Sequence, residues 1–132
     1  MSALLTARGL SVGFGRSPLL EGVNITLNAG ELVALIGVNG GGKSTLLRTL
    51  SGGQAPLSGT VEVNGDPLGS LSAAVRARLM ALVLTERPQA NLLDVRTLIA
   101  FGRQPWTGHF GRLTAKDEAA IDKAMDLSLI HI

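Results

Sequence analysis

Residues Gly37-Val38-Asn39-Gly40-Gly41-Gly42-Lys43-Ser44 read G-x-x-x-x-G-K-S. Each residue type has a task at an anionic ligand. Glycines let the backbone turn until successive N–H groups point inward, with no Cβ in the way. A helix starting at the loop adds the positive end of its dipole and its unpaired N–H groups. Lys43 is placed to reach β- and γ-phosphates, and the Ser44 hydroxyl to complete the shell of a Mg²⁺ ion. Gly37, Asn39, Gly40, Gly41, Gly42, Lys43, Ser44 and Thr45 are therefore the candidate nucleotide contacts, with Ser44 also the candidate metal ligand. The other reading, a glycine-rich turn that merely contains Lys-Ser, depends on what flanks it.

The flanks favour a phosphate-binding loop. Leu32 to Ile36 (LVALI) is a short continuous apolar run, the pattern of a strand buried on both faces. Downstream, Leu46, Leu47 and Leu50 fall at helical spacing. Strand, glycine loop and helix are the context the motif requires.

The elements around this unit follow from local signals. Leu4 to Phe14 reads as a strand with Leu10, Val12 and Phe14 on one side, and Gly15 to Pro18 as a turn. Leu19 to Leu27, with Val23, Ile25 and Leu27 two apart, reads as its antiparallel partner. Ser51 to Ser58 is loop, Gly59 to Asn64 strand, and Asn64 to Pro67 turn. Ser72 to Arg78 predicts a short helix capped by Ser70 or Ser72, and Leu79 to Leu84 a second buried strand. Thr85 to Asp94 is polar loop, Val95 to Phe101 a helix ended by Gly102, and Gly102 to Gly111 irregular. Thr114, with Asp117 three residues on, predicts a capping box opening a helix to Leu127 with Ile121, Ala124 and Met125 on one face.

Composition narrows the class. At 132 residues the chain is one domain's worth of material, with 45% hydrophobic and 17% charged residues. No apolar run is long enough to span a bilayer, and no N-terminal signal is visible. The absence of cysteine excludes disulfides and thiolate metal sites, and suits the cytoplasm. Arginines scattered through the second half, a net charge of +2 and 3% aromatics argue against nucleic acid as a partner.

The run SVGFGRSPLLEGVNITLNAGELVALIGVNGGGKSTLLRTLSG resembles the start of an ATP-binding-cassette (ABC) transporter ATPase. SGTVEVNG and ARLMALVL…VRTLIAFGR…LTAKDEAAIDKAM continue the likeness over nearly the whole chain, and the later stretch is most similar to importers of ferric siderophores, haem or cobalamin. The resemblance implies an α/β fold, a P-loop NTPase core with an antiparallel β subdomain. It implies ATP and Mg²⁺ as cofactors, a homodimer of the full-length protein, membrane permease subunits as partners, and a peripheral place on the cytoplasmic face of the plasma membrane. Phe14 matches the aromatic that stacks on adenine; on the strand pattern alone it could equally be a core residue. The family's metal-coordinating glutamine falls at Thr85, whose hydroxyl reaches less far, with Glu86 and Gln89 as exposed polar alternatives.

Leu50-Ser51-Gly52-Gly53-Gln54 spells the family's LSGGQ signature, but at the end of the phosphate-loop helix, where glycines terminate a helix and present carbonyl groups. It reads as coincidence. No apolar run followed by Asp-Glu occurs after the phosphate loop, and neither His109 nor His131 suits the family's switch histidine, so no catalytic residue is assigned within the chain. Residues 1–126 are expected to form the N-terminal part of a single ABC ATPase domain. Residues 127–132 (LSLIHI) depart from the family pattern, match the translation of a common transposon-end sequencing adaptor, and read as an artificial tail; a natural short terminus is the alternative.

The first functional reading is an importer's ATP-binding subunit, truncated before signature, catalytic carboxylate pair and switch histidine, whose intact form couples ATP binding and hydrolysis to uptake of an iron chelate, haem or related cofactor. The alternative is a non-catalytic nucleotide-binding fragment. A GTPase or small-molecule kinase fits poorly, because a strand pair precedes the phosphate loop and no N-K-x-D motif occurs.

Overall fold

A computed structural model describes residues 3–83, 85 and 92–128. The chain divides into two compact units, Met1–Arg76 and Ala77–Ile132.

The first unit is organised on strand β1, Ala3–Phe14, which pairs antiparallel with β2, Ser17–Asn28, on one side and with β3, Ser58–Val63, on the other. A two-residue strand β4, Asp66–Pro67, completes a sheet of order β2-β1-β3-β4. The turn between β3 and β4 is Asn64-Gly65, both at positive φ, the conformation that suits a two-residue hairpin. Helix α1, Lys43–Leu50, follows the phosphate loop and packs on β1.

Strand β1 does not keep one alternation. Leu5 and Ala7 are buried at odd positions, Leu10 and Val12 at even ones. The change of parity falls at Gly9, which has φ 53°, breaks the register with β2, and donates its N–H to Asn24 Oδ1 at 2.9 Å. The bulge lets twelve residues of one strand put four apolar side chains into a single core, with Leu46 and Leu50 of α1 and Val61 and Val63 of β3. Fully burying a leucine such as Leu10 or Leu46 contributes about 1.5–3 kcal/mol.

Residues 31–38 depart from expectation. They form no strand, and Leu32 and Ile36 are 99% and 90% exposed. A strand buried on both faces exists only between neighbours, and for a parallel strand those come from distant parts of the chain. Among the described residues none is paired beside LVALI. The second expected strand is also absent from its described part: Leu79 ends a helix, α2 (Ala73–Leu79), and 80–83 form no helix or strand. Ser72 supplies the expected cap of α2, its Oγ accepting from Val75 N.

The second unit holds helices and, among its described residues, no strand. Helix α3, Val95–Ala100, is capped by Asp94, which accepts from Thr97 N at 2.8 Å. It runs directly into a 3-10 helix, Phe101–Trp106, where an irregular stretch was expected. Helix α4, Ala115–Leu127, opens with the expected capping box of Thr114 and Asp117. Arg96 of α3 forms ion pairs with Glu118 and Asp122, one turn apart on α4. Ile121 is buried as expected, whereas Asp117, with its carboxylate on Arg103, is buried without having been foreseen. No helix among the described residues is long and apolar enough to cross a membrane.

Candidate functional site

The phosphate loop is shaped by two glycines at positive φ, Gly40 at 81° and Gly42 at 88°. Gly42 is the N-cap of α1, and no side chain caps the helix. Its first N–H groups are thus available to an anion. The loop closes on itself where Gly41 N donates to Val38 O at 3.1 Å.

Lys43 lies across this turn. Its Nζ donates to the carbonyl oxygens of Gly37 and Val38, each at 2.6 Å. Those two bonds fold the lysine back along the loop and hold its charge against the loop's first two residues. Ser44 is exposed on the first turn of α1, while Thr45 is buried, its carbonyl accepting from Thr49 Oγ1 at 2.9 Å.

Phe14, Leu19, Asn39, Gly40, Gly42, Lys43, Ser44 and Thr45 line one cavity of about 350 Å³, within the range of small-molecule sites. Phe14 is 59% exposed, so it is not a core residue. Its aromatic ring, at the end of β1, belongs to the same concavity as the phosphate loop. Gly37 and Gly41 complete the loop without lining that cavity. Strand β2 forms the loop's support: a Cβ on Gly42 would lie 3.1 Å from Leu20 Cγ and 3.3 Å from Leu19 Cβ.

Thr85 is an exposed bend residue of the second unit. Glu86 and Gln89 lie outside the described residues. The LSGGQ string ends α1, as its position demanded. Gly52, at φ 77°, donates to Thr49 O and Gly53 to Arg48 O at 2.8 Å, the paired bonds of a Schellman turn. Among the described residues no group of three or more His, Asp or Glu side chains is placed to hold a metal ion. Ser44, exposed in this cavity beside the loop, carries a hard oxygen of the kind that suits Mg²⁺ held largely by phosphates and water.

The family model described as ABC transporter matches residues 20–129. The chain belongs to the ABC transporter family. An uncharacterised ABC transporter ATP-binding protein of Methanocaldococcus jannaschii is 42% identical over 118 residues, 89% of this chain and 41% of that protein. A hemin import ATP-binding protein of Bordetella avium is 45% identical over 103 residues, 77% of this chain and 39% of that one. Among solved structures, a putative ABC transporter ATP-binding protein from Pyrococcus furiosus superposes with a TM-score of 0.72 at 27% identity, covering 97% of this chain and 58% of that chain. The chain thus spans about two-fifths of the length of these two ABC relatives. The likeness also establishes the fold class, an ABC ATPase fold with the antiparallel sheet described above.

Proposed function

We propose that this chain is the nucleotide-binding front part of an ABC importer's ATP-binding subunit, residues 1–126 being part of a single ATPase domain. The observation that carries the reading is Lys43 drawn to the Gly37 and Val38 carbonyls at the uncapped start of α1, in a cavity shared with Phe14.

ATP fits this arrangement in parts. The triphosphate takes the loop and helix N–H groups, Lys43 turns part of its charge to the β- and γ-phosphates, and the adenine stacks on Phe14. Ser44 supplies one oxygen to Mg²⁺, which in phosphoryl transfer neutralises charge on the phosphates. Thr85 takes the place of the family's metal-coordinating glutamine. The intact protein dimerises, closes on ATP against membrane permeases at the cytoplasmic face, and uses hydrolysis to reset. The hemin importer's likeness supports an iron chelate, haem or related cofactor as cargo.

The exposure of Leu32 and Ile36 supports a second reading for the 132-residue chain, nucleotide binding without turnover. Phosphoryl transfer rests on positioning and charge stabilisation, and no general base is assigned in this chain. Equilibrium binding of Mg-ATP together with phosphate release over many hours separates the two. Binding with steady release establishes an ATPase, binding without release a nucleotide binder, and no binding overturns both.

A further inference from the structure

Gln54 ends the LSGGQ string, and the nucleotide reading gives it no task. Its place in the fold does. The Schellman turn at Gly52 and Gly53 sends the chain back past the end of α1. From there Gln54 Nε2 donates to Gly13 O at 2.5 Å, 41 residues away in sequence.

Gly13 is the residue before Phe14 and is buried. Its position is tight, since a Cβ there would lie 2.0 Å from Ser17 O. On the same edge of β1, Ser11 O accepts from Leu57 N at 2.8 Å. Carbonyls two residues apart on a strand point the same way, so the Gln54 amide continues that ladder beyond the start of β3 at Ser58. It supplies the donor that a further strand residue would have given. The clasp also closes a mechanical loop. Helix α1 begins at the phosphate loop with Lys43 and ends in the turn that carries Gln54, which grips the strand end bearing Phe14.

We infer that Gln54 is a positioning residue that sets the Phe14 platform relative to the phosphate loop, and so governs how well the purine end of the nucleotide is held. This rests on the proposed stacking of adenine on Phe14. Gln54 touches no ligand itself.

The test uses the full chain, Gln54→Met (similar volume, no donor) and Phe14→Ala, with Mg-ATP and magnesium inorganic triphosphate as separate probes in calorimetry. Gln54→Met is expected to weaken ATP by about threefold or more and to leave triphosphate within about twofold, and its effect should not add to that of Phe14→Ala. ATP affinity unchanged in Gln54→Met, or equal losses for both probes, overturns the role of Gln54. If Phe14→Ala alone lowers ATP selectively, the stacking reading stands without Gln54. If Phe14→Ala shows no selectivity, the stacking reading falls and the positioning role with it.

Discussion

Leu20 of β2 lies against Gly42, so that a Cβ on that glycine would come within 3.1 Å of Leu20 Cγ and 3.2 Å of its Cδ1. The phosphate loop is thus held from behind by a strand of the antiparallel sheet. Gly42 must also keep φ at 88°, a conformation that L side chains rarely adopt.

Gly42→Ala meets both obstacles at once. The substitution is expected to cost about 1–3 kcal/mol of stability in the first unit. Mg-ATP affinity should fall by more than this loss explains, because the start of α1 moves. Thermal unfolding with and without Mg-ATP checks it. An unchanged midpoint with full ligand stabilisation would show that neither the backbone angle nor Leu20 constrains the loop.

Phe14 is exposed, so its removal should leave stability nearly alone, within about 0.5 kcal/mol. Losing an aromatic face under a purine should weaken ATP by about three- to tenfold. Binding of ATP and of inorganic triphosphate by Phe14→Ala makes the comparison. A stability loss of several kcal/mol would return Phe14 to the core.

Asp117 links the acid stability of the second unit to α4. Hydrogen bonds from Thr114 N and Thr114 Oγ1, and then from Arg103, hold its carboxyl down at about 2 against an ordinary 3.8. Because the folded value is the lower one, the ionised carboxylate stabilises the fold fully above the unfolded value. That contribution is lost as pH falls from about 4 towards 2. Amide exchange of α4 across this window should show its first turn loosening, and Asp117→Asn should flatten the response there. An identical acid profile in the variant would remove Asp117 from the account.

What was legible in the sequence was local. The β1–β2 pair, the helix after the phosphate loop, its glycine terminator at Gly52 and the Thr114–Asp117 capping box each follow from residues close together in the chain. LVALI carries an equally clear pattern and yet forms no strand, because a parallel strand depends on partners that its own residues cannot specify. The Gly9 bulge escaped notice since alternation holds on either side of it and only the pairing shows the slip. In the second unit, Arg103 joins Asp117 and stacks over the Trp106 ring at 4.4 Å, and the pattern of types at these positions foretold none of it. Within the candidate site, the motif placed the loop residues, whereas Phe14's freedom from the core came only from the structure. Gln54 had no signal at all: a single glutamine after a helix has no spacing to read.

Lys43 tests the central claim most directly. Its Nζ is bound to two loop carbonyls and lines the cavity that is proposed to take the triphosphate. Charge-assisted hydrogen bonds contribute about 1.5–3 kcal/mol each, so Lys43→Ala should weaken Mg-ATP by about a hundredfold or more. Titration calorimetry of both proteins, with far-UV spectra to show that α1 survives, decides the matter. Loss of binding with an unchanged spectrum is the predicted result; affinity equal to that of the parent chain would contradict the assignment of this loop as a nucleotide site.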